Sequence, residues 1–247
     1  MCELEVINHC REINKCNQRG GRMLSIFDLI ERGTMDIALA GFSLYCISRG
    51  SSFLVGANPG GAGKTTVMGA LLNLLPPGID LYPATEDVID EALKKRITKR
   101  SCFICHEIGS GHWFAYLWGS ALRNYFKLLD LGHVLATNLH ADDIDEAYSQ
   151  ICIENRVPVE YFRRINLMYF IKILPGYKRV INKIYLSDGV GEHILVYDYG
   201  SGENLIEQHV EDFDFYCKCM EFISQKVGSI RTIEDTRKAV LDFLRTN

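Results

Sequence analysis

The sequence predicts an α/β fold in which helices cover both faces of a mainly parallel sheet, followed by an antiparallel β-meander and a small C-terminal helical region. The parallel sheet is predicted because buried apolar segments alternate with helical ones along residues 24–174. The meander is predicted because β-branched and aromatic segments within residues 166–199 are separated by glycine-containing turns. Residues 175–247 are therefore expected to hold most of the meander and the C-terminal helices.

Composition narrows the classes of function. The net charge is −4 with mixed signs, which gives no reason to expect a nucleic-acid surface. No apolar run approaches the ~20 residues that span a bilayer, and the polar start does not resemble a signal peptide, so a cytoplasmic protein is expected. The nine cysteines are scattered within apolar segments, as is typical of reduced, mostly buried thiols.

The first part of the chain is predicted to be a linker-like segment and two helices that precede the first strand of the sheet. Residues 1–23 are mostly polar without a clear period, which indicates a frayed or linker-like start. Residues 24–34 fit a short helix, with Ser25 as the N-cap and Asp28 in the capping-box position. A second helix, from residue 35 to about 48, leads into an apolar strand.

A glycine-rich loop follows this strand, ends in Gly-Lys-Thr-Thr and opens a helix. This order of strand, loop and helix is the context of a phosphate-binding loop, and it argues against a chance glycine-rich turn. Glycines let the main chain curl so that its N–H groups surround a triphosphate, and the helix adds its free N–H groups and positive dipole end. The residues predicted to bind a nucleotide are Asn58, Pro59, Gly60, Gly61, Ala62, Gly63, Lys64, Thr65 and Thr66.

Two side chains of the loop have predicted roles. Lys64 is expected to reach the β- and γ-phosphates, and the Thr65 hydroxyl is expected to bind the Mg²⁺ that bridges them. Asn58 stands where the first glycine of the motif is usual, a mild change because Asn tolerates the left-handed backbone region. The expected ligands are a nucleoside triphosphate and Mg²⁺, and the loop itself does not choose between adenine and guanine.

Three later strands carry polar side chains near their ends, and they are predicted at residues 79–85, 101–108 and 132–140. Glu86 follows the first of them, Glu107 lies in the second and His140 ends the third. Because ligands bind outside the carboxyl ends of parallel strands, these three side chains are predicted to lie near the phosphate loop.

Helices are predicted at residues 64–75, 86–97, 113–129, 142–155, 213–226 and 232–244. The third of them begins with an aromatic cluster that includes Trp113 and Phe114. Core packing of an amphipathic helix is the more frequent explanation of such a cluster, and a docking surface for another subunit is the alternative.

The cysteines and histidines of the third strand do not predict a metal site. Cys102 and Cys105 lie three residues apart on a strand, so their side chains point to opposite faces and cannot share a tetrahedral zinc ion with His106. Buried thiols are the preferred interpretation. His133 is as readily a satisfied strand histidine as a functional one, and His112 is expected at the surface.

This ordered series of motifs resembles the secretion ATPase superfamily, which drives type II secretion, type IV secretion, type IV pili and the archaellum, and within it the archaeal branch. The resemblance covers about residues 24–247. It rests first on the lead-in helix at residues 25–35, on the phosphate loop and on an acidic box, Ala84-Thr85-Glu86-Asp87. His106-Glu107-Ile108 stands at the Walker B position, and the histidine box runs from Gly132-His133 to Leu139-His140-Ala141. The tail of the motor domain is represented by Pro158, Arg163 and residues 171–185.

The resemblance implies a RecA-like P-loop NTPase core that binds ATP and Mg²⁺ and acts as an ATPase motor. It implies that Glu107 orients or deprotonates the attacking water, that Glu86 is a second carboxylate near the metal or water, and that His140 contacts the γ-phosphate. It further implies a hexameric homo-oligomer that works with a membrane platform protein of a secretion or pilus machine. A protein of this kind would lie in the cytoplasm or at the inner face of the membrane.

Several positions depart from the family pattern. Members of the family carry an N-terminal domain that supplies arginines to the nucleotide site. Only residues 1–23 precede the match here, so a motor domain without the N-terminal domain is expected. Arg19 and Arg22 are candidates to replace one of the missing arginines. His106 replaces a small residue and Asn138 a threonine. These departures favour the alternative function, a degenerate nucleotide-binding regulatory or scaffolding subunit. An unrelated P-loop kinase or transferase would need an acceptor pocket and a lid, and the sequence shows neither.

Overall fold

The computed structural model describes residues 3–17 and 20–247. The strands of this part of the chain are β1 (Phe53–Gly56), β2 (Asp80–Pro83), β3 (Ser101–Ile108), β4 (Tyr116–Leu117), β5 (Val134–Leu139), β6 (Leu167–Ile173), β7 (Arg179–Leu186), β8 (Ile194–Asp198) and β9 (Glu203–Asn204). The α-helices are α1 (Glu3–Lys15), α2 (Ile26–Glu31), α3 (Ile37–Ile47), α4 (Lys64–Leu72), α5 (Glu86–Leu93), α6 (Gly119–Lys127), α7 (Ile144–Tyr148), α8 (Val159–Arg163), α9 (Phe213–Lys226) and α10 (Ile233–Thr246).

All of these strands belong to one mixed sheet with the order β2-β3-β5-β1-β6-β7-β8-β9, and β4 pairs with β3. The strands from β2 to β6 are parallel, whereas β6 to β9 pair antiparallel. The prediction of a mainly parallel sheet, followed by a meander and C-terminal helices, is confirmed. The phosphate-loop strand β1 lies between β5 and β6, so its loop leaves from the middle of the sheet.

Apolar side chains cover the sheet on both faces. One hydrophobic core packs α1 to α4, α9 and α10 against it, and the other packs α5 to α8. Cys102 belongs to the first core and Cys105 to the second, which confirms that the two thiols of β3 point to opposite faces. Within the described part of the chain, no helix combines the length and the apolar character needed to cross a bilayer.

The short helix before the phosphate loop has the predicted cap. The Ser25 side chain accepts a hydrogen bond from the Asp28 backbone N–H, and the Asp28 carboxylate accepts one from the Ser25 backbone N–H at 2.7 Å. The chain leaves this helix through Gly33, whose φ of 65° favours glycine. The structure therefore confirms the capping box that the sequence predicts.

The prediction of a helix from residue 113 is wrong for its first part. Residues 116 and 117 form strand β4, and α6 starts only at Gly119, because the φ value of 55° at Ala115 does not fit the interior of a right-handed helix. Trp113 and Phe114 are 71% and 53% exposed, so core packing does not explain these two rings.

The start of the chain also differs from the prediction. Residues 3–15, interpreted as part of a linker-like segment, form helix α1, which packs Val6, Cys10 and Ile13 into the first core. Polar residues interrupt its apolar stripe, which concealed the helical period in the sequence. Helix α1 contacts α4 and α10, so it adjoins the helix that follows the phosphate loop.

Two basic side chains cap the far end of α4. Arg237 of α10 is fully buried and donates to the carbonyl oxygens of Asn73, Leu75 and Pro76, with distances of 3.1 Å to Asn73 and 3.2 Å to Pro76. His9 of α1 donates from Nε2 to the carbonyl oxygen of Leu72 at 3.1 Å. A helix C-terminus leaves its last carbonyls unpaired, and donors with positive charge stabilise them. Burial lowers the pKa of the Arg237 guanidinium to about 10.

We expect Arg237→Ala to lower the free energy of unfolding by ~3 kcal/mol, because it leaves several buried carbonyl oxygens without a donor. Urea unfolding followed by circular dichroism measures this change. The matched control is Arg231→Ala, which removes an exposed arginine paired with Glu31 and should change the free energy by less than ~1 kcal/mol. Equal effects of the two substitutions would contradict a capping role for Arg237.

Candidate functional site

The phosphate loop has the backbone that its glycines predict. Gly61 and Gly63 have φ values of 84° and 101°, a region that favours glycine, and Gly63 is the N-cap of α4. A Cβ added at Gly60 would meet no atom within 4 Å, so this side of the loop opens into space. The loop therefore presents free main chain at the positive end of a nine-residue helix.

Lys64 lies at the centre of the charged groups of the cleft. Its side chain is only 8% exposed, and its Nζ donates to the Ala57 carbonyl oxygen at 3.0 Å. The same Nζ lies 3.8 Å from Glu107 Oε1 and 3.4 Å from His140 Nε2. The structure thus brings together Lys64, Glu107 and His140, which the sequence predicts at one site.

Glu107 is a buried carboxylate beside this lysine. Burial raises the pKa of the Glu107 carboxyl, and the positive charge of Lys64 and the nearby His140 oppose the rise. Its Oε1 is buried and, within residues 3–17 and 20–247, has no hydrogen-bond partner. Since buried oxygens are normally hydrogen-bonded, this atom has an unused capacity to accept a hydrogen bond.

The two departures from the family pattern beside Glu107 lie in contact with each other. The pairing of β3 with β5 is irregular between Cys105 and Ile108, and the Asn138 side chain donates to the freed His106 carbonyl oxygen at 2.9 Å. Asn138 thus satisfies a carbonyl that the irregular ladder would leave unpaired.

His140 is oriented by the phosphate loop. Its Nδ1 lies 2.9 Å from the Asn58 carbonyl oxygen, and since a carbonyl only accepts, Nδ1 carries the proton. Lys64 Nζ lies beside the ring, 3.3 Å from Nδ1 and 3.4 Å from Nε2, and Nε2 lies 3.7 Å from Glu107 Oε1. This orientation lets His140 respond to any anion that displaces these two side chains.

Asn58, which replaces the first glycine of the motif, ties the loop to the segment after His140. Its backbone N–H donates to Asp142 Oδ1 at 2.7 Å, and its side-chain amide donates to Asp142 Oδ2 at 3.1 Å and to Glu146 Oε2 at 2.8 Å. Glu146 Oε2 also accepts from the Asp142 backbone N–H at 2.9 Å. The side chain of Asn58 therefore makes two hydrogen bonds that glycine could not make.

The other predicted residues occupy different places. Thr65 and Thr66 line the cleft, whereas Glu86 is exposed at the start of α5 and is not among the residues that line it. Arg22 lines the cleft but holds the Asp28 carboxylate with both Nη atoms, and Arg19 lies outside the described residues. His133 Nδ1 accepts from the Ser101 backbone N–H at 3.2 Å, and His112 is exposed, as expected.

Sequence reasoning missed the contribution of the β6–β7 hairpin. Arg179 donates from Nε and Nη2 to the Gly61 carbonyl oxygen at 3.2 and 3.1 Å. Tyr177 and Lys178 line the same cleft. No local signal could have shown this contact, because 118 residues separate Arg179 from Gly61.

Comparisons with known proteins find no matching family model and no matching curated protein. Among solved structures, the chain is similar to the VirB11 ATPase from the Brucella suis type IV secretion system in complex with sulphate, with 16% identity over 69% of this chain and a TM-score of 0.47. It is also similar to the ATPase DotB from Yersinia pseudotuberculosis, with 10% identity over 90% of this chain and a TM-score of 0.44. The matches span 58% and 63% of those two chains. A similarity this low carries no conclusion about the function of this chain.

Lys64→Met should raise the pKa of the Glu107 carboxyl further, because it removes the positive charge that most strongly opposes the effect of burial. The carboxyl ¹³C chemical shift of Glu107 followed against pH measures this pKa. The control is Lys127→Met, an exposed lysine that bonds to Asn124, which should leave the titration unchanged. A pKa that stays the same in Lys64→Met would show that the two side chains do not face each other in solution.

Asn58→Asp should loosen both the phosphate loop and the start of α7, because it places a third carboxylate against Asp142 and Glu146. Hydrogen exchange of the Asn58 and Asp142 backbone amides should accelerate severalfold. Asn58→Gly, which removes the amide without adding charge, should have a smaller effect. Adding Glu146→Gln to Asn58→Asp should restore part of the protection, and a strictly additive pair would contradict the contact.

Proposed function

We propose that this chain binds ATP with Mg²⁺ at the phosphate loop and hydrolyses it, as the motor domain of a type II/IV secretion or pilus-type assembly. The observation that carries the proposal is the buried Glu107 carboxylate, which lies 3.8 Å from Lys64 and has an oxygen without a hydrogen-bond partner in the described chain. A water positioned to attack the terminal phosphate would supply the missing donor.

The residues of the cleft fit a magnesium nucleotide. The open side at Gly60 leaves room for phosphate oxygens, and the α4 N-terminus and Lys64 supply the positive charge. The Thr65 hydroxyl is the group that would hold Mg²⁺, which when bound neutralises charge on the phosphates.

Hydrolysis then depends on position and charge. The attacking water must lie in line with the γ-phosphate, and the charge of the transferred group must be balanced. Glu107 orients this water and accepts its proton, for which a pKa raised by burial is favourable. Lys64 exchanges its hydrogen bond to the Ala57 carbonyl oxygen for bonds to the phosphates. His140, whose ring lies beside Lys64, moves with the lysine side chain.

The motor assignment has a separate basis, the ordered series of motifs along residues 24–247 that resembles the archaeal branch of the secretion ATPase superfamily. From it follow the further parts of the proposal. These are self-association as a hexamer, docking on a membrane platform protein, and a place in the cytoplasm or at the inner face of the membrane.

Glu107→Gln should reduce Mg²⁺-dependent phosphate release from ATP by about a hundredfold or more, while ATP binding is retained. Phosphate release by the purified protein, with particle mass recorded by light scattering in the same buffer, measures both parts of the proposal. A hexamer-sized particle with turnover that the substitution abolishes is the expected result.

Three further variants sharpen the outcome. Lys64→Ala should remove ATP binding, and Glu203→Gln, an exposed glutamate of β9, should leave turnover unchanged. If Glu107→Gln keeps the wild-type rate and Glu86→Gln loses it, Glu86 positions the water instead. ATP binding without turnover in the wild type would establish the alternative function, a nucleotide-binding regulatory or scaffolding subunit.

A further inference from the structure

The cleft at the phosphate loop extends beyond the loop itself. It encloses about 570 Å³ and continues past the glycines to the segment before α2 and to the β6–β7 hairpin. Met23, Leu24, Leu29 and Tyr177 line this second part. Apolar and aromatic groups offer nothing to phosphate oxygens, so this part of the cleft suits a different portion of the ligand.

The hairpin presents Tyr177 in an unusual way. Its turn closes with a hydrogen bond from the Leu174 N–H to the Lys178 carbonyl oxygen at 2.7 Å, and Gly176 and Tyr177 have φ values of 76° and 59°. A left-handed backbone is unfavourable for a bulky residue, and strain of this kind gathers at ligand sites. The Tyr177 side chain is nevertheless 83% exposed, so burial does not compensate for the strain.

Both edges of the cleft fix the position of this hairpin. Arg179, two residues after Tyr177, donates two hydrogen bonds to the Gly61 carbonyl oxygen in the phosphate loop. On the other side, the Ile181 N–H donates to the Thr34 carbonyl oxygen at 2.8 Å. Tyr177 is thus held at a constant place beside the loop that binds phosphate.

Three aliphatic side chains line the same cleft, and two of them are almost fully buried. Met23 and Leu29 are 5% and 2% exposed, and Leu24 is half-buried beside them. Arg32 and Lys178 lie at the rim. The cleft thus combines aliphatic side chains, an exposed tyrosine and two cationic residues with a phosphate loop, and these groups suit a nucleoside base.

We propose that Tyr177 stacks on the base of the bound nucleotide and that Met23, Leu24 and Leu29 form the facing wall, so that this chain supplies its own nucleoside subsite. The inference rests on the proposed function, because it takes the phosphate loop as the site of the phosphates. Arg179 acts as a positioning residue that holds the hairpin against that loop.

The test compares ADP with inorganic pyrophosphate, both with Mg²⁺, by isothermal titration calorimetry. The two ligands share the diphosphate and differ by the nucleoside. The wild type should bind ADP at least about tenfold more tightly than pyrophosphate, since a base stacked on an aromatic side chain contributes this much. Tyr177→Ala should weaken ADP about tenfold and change pyrophosphate less than about twofold.

Two variants separate the ring from the backbone. Tyr177→Phe keeps the aromatic face and should retain ADP affinity, whereas Tyr177→Gly, which relieves the left-handed strain, should lose it as Tyr177→Ala does. Tyr199→Ala removes an exposed tyrosine at the end of β8 and should change neither ligand.

The outcomes distinguish failure of the subsite from failure of the proposed function. Equal affinities of the wild type for ADP and pyrophosphate would overturn the subsite, as would an equal loss of both ligands in Tyr177→Ala. If neither ligand binds, or if Lys64→Ala weakens neither, the phosphate loop itself is not a nucleotide site and the proposed function fails first.

Discussion

The charged groups of the cleft owe their positions to the register of three parallel strands, β3, β5 and β1. Leu139 of β5 pairs with Gly56 on one side and with Ile108 on the other, so the ends of the three strands lie level. Glu107 and His140 directly adjoin these paired residues, and Lys64 follows Gly56 at the end of the phosphate loop. A shift of one residue in either ladder would turn Glu107 or His140 to the opposite face.

This convergence places one positive and one negative group in a poorly solvated space. Lys64 and Glu107 are 8% and 9% exposed, and their charges are 3.8 Å apart without a direct hydrogen bond. Such a pair is only partly compensated for the loss of hydration. In the proposed function a bound triphosphate would change that balance, since Lys64 would gain a stronger anion and Glu107 would lose part of the positive field that opposes its raised pKa.

Local chemistry is what the sequence conveys well. The capping box of Ser25 and Asp28, the full length of β3 and the N-cap Thr232 were predictable because their determinants lie within a few residues. The order of buried strands also predicted that Lys64, Glu107 and His140 meet. Long-range contacts were not predictable: Arg237 caps a helix 164 residues away, and Arg179 reaches a loop 118 residues away, and nothing in the local pattern marks either. The positive φ value at Ala115 likewise interrupts the first part of a helix that composition favoured.

The phosphate loop is held from both sides by groups of opposite charge, which bears on how it binds its ligand. The carboxylates of Asp142 and Glu146 accept hydrogen bonds from Asn58 at the start of the loop, and the guanidinium of Arg179 donates to Gly61 at its tip. A glycine-rich loop without such contacts would lose much conformational entropy on binding an anion. Contacts of this kind restrict the loop and reduce that loss, so we expect both to contribute to the affinity of the proposed phosphate site. The same contacts link the loop to the β6–β7 hairpin and to the segment after His140, so in the proposed function a movement of the loop at the phosphates would reach both edges of the cleft.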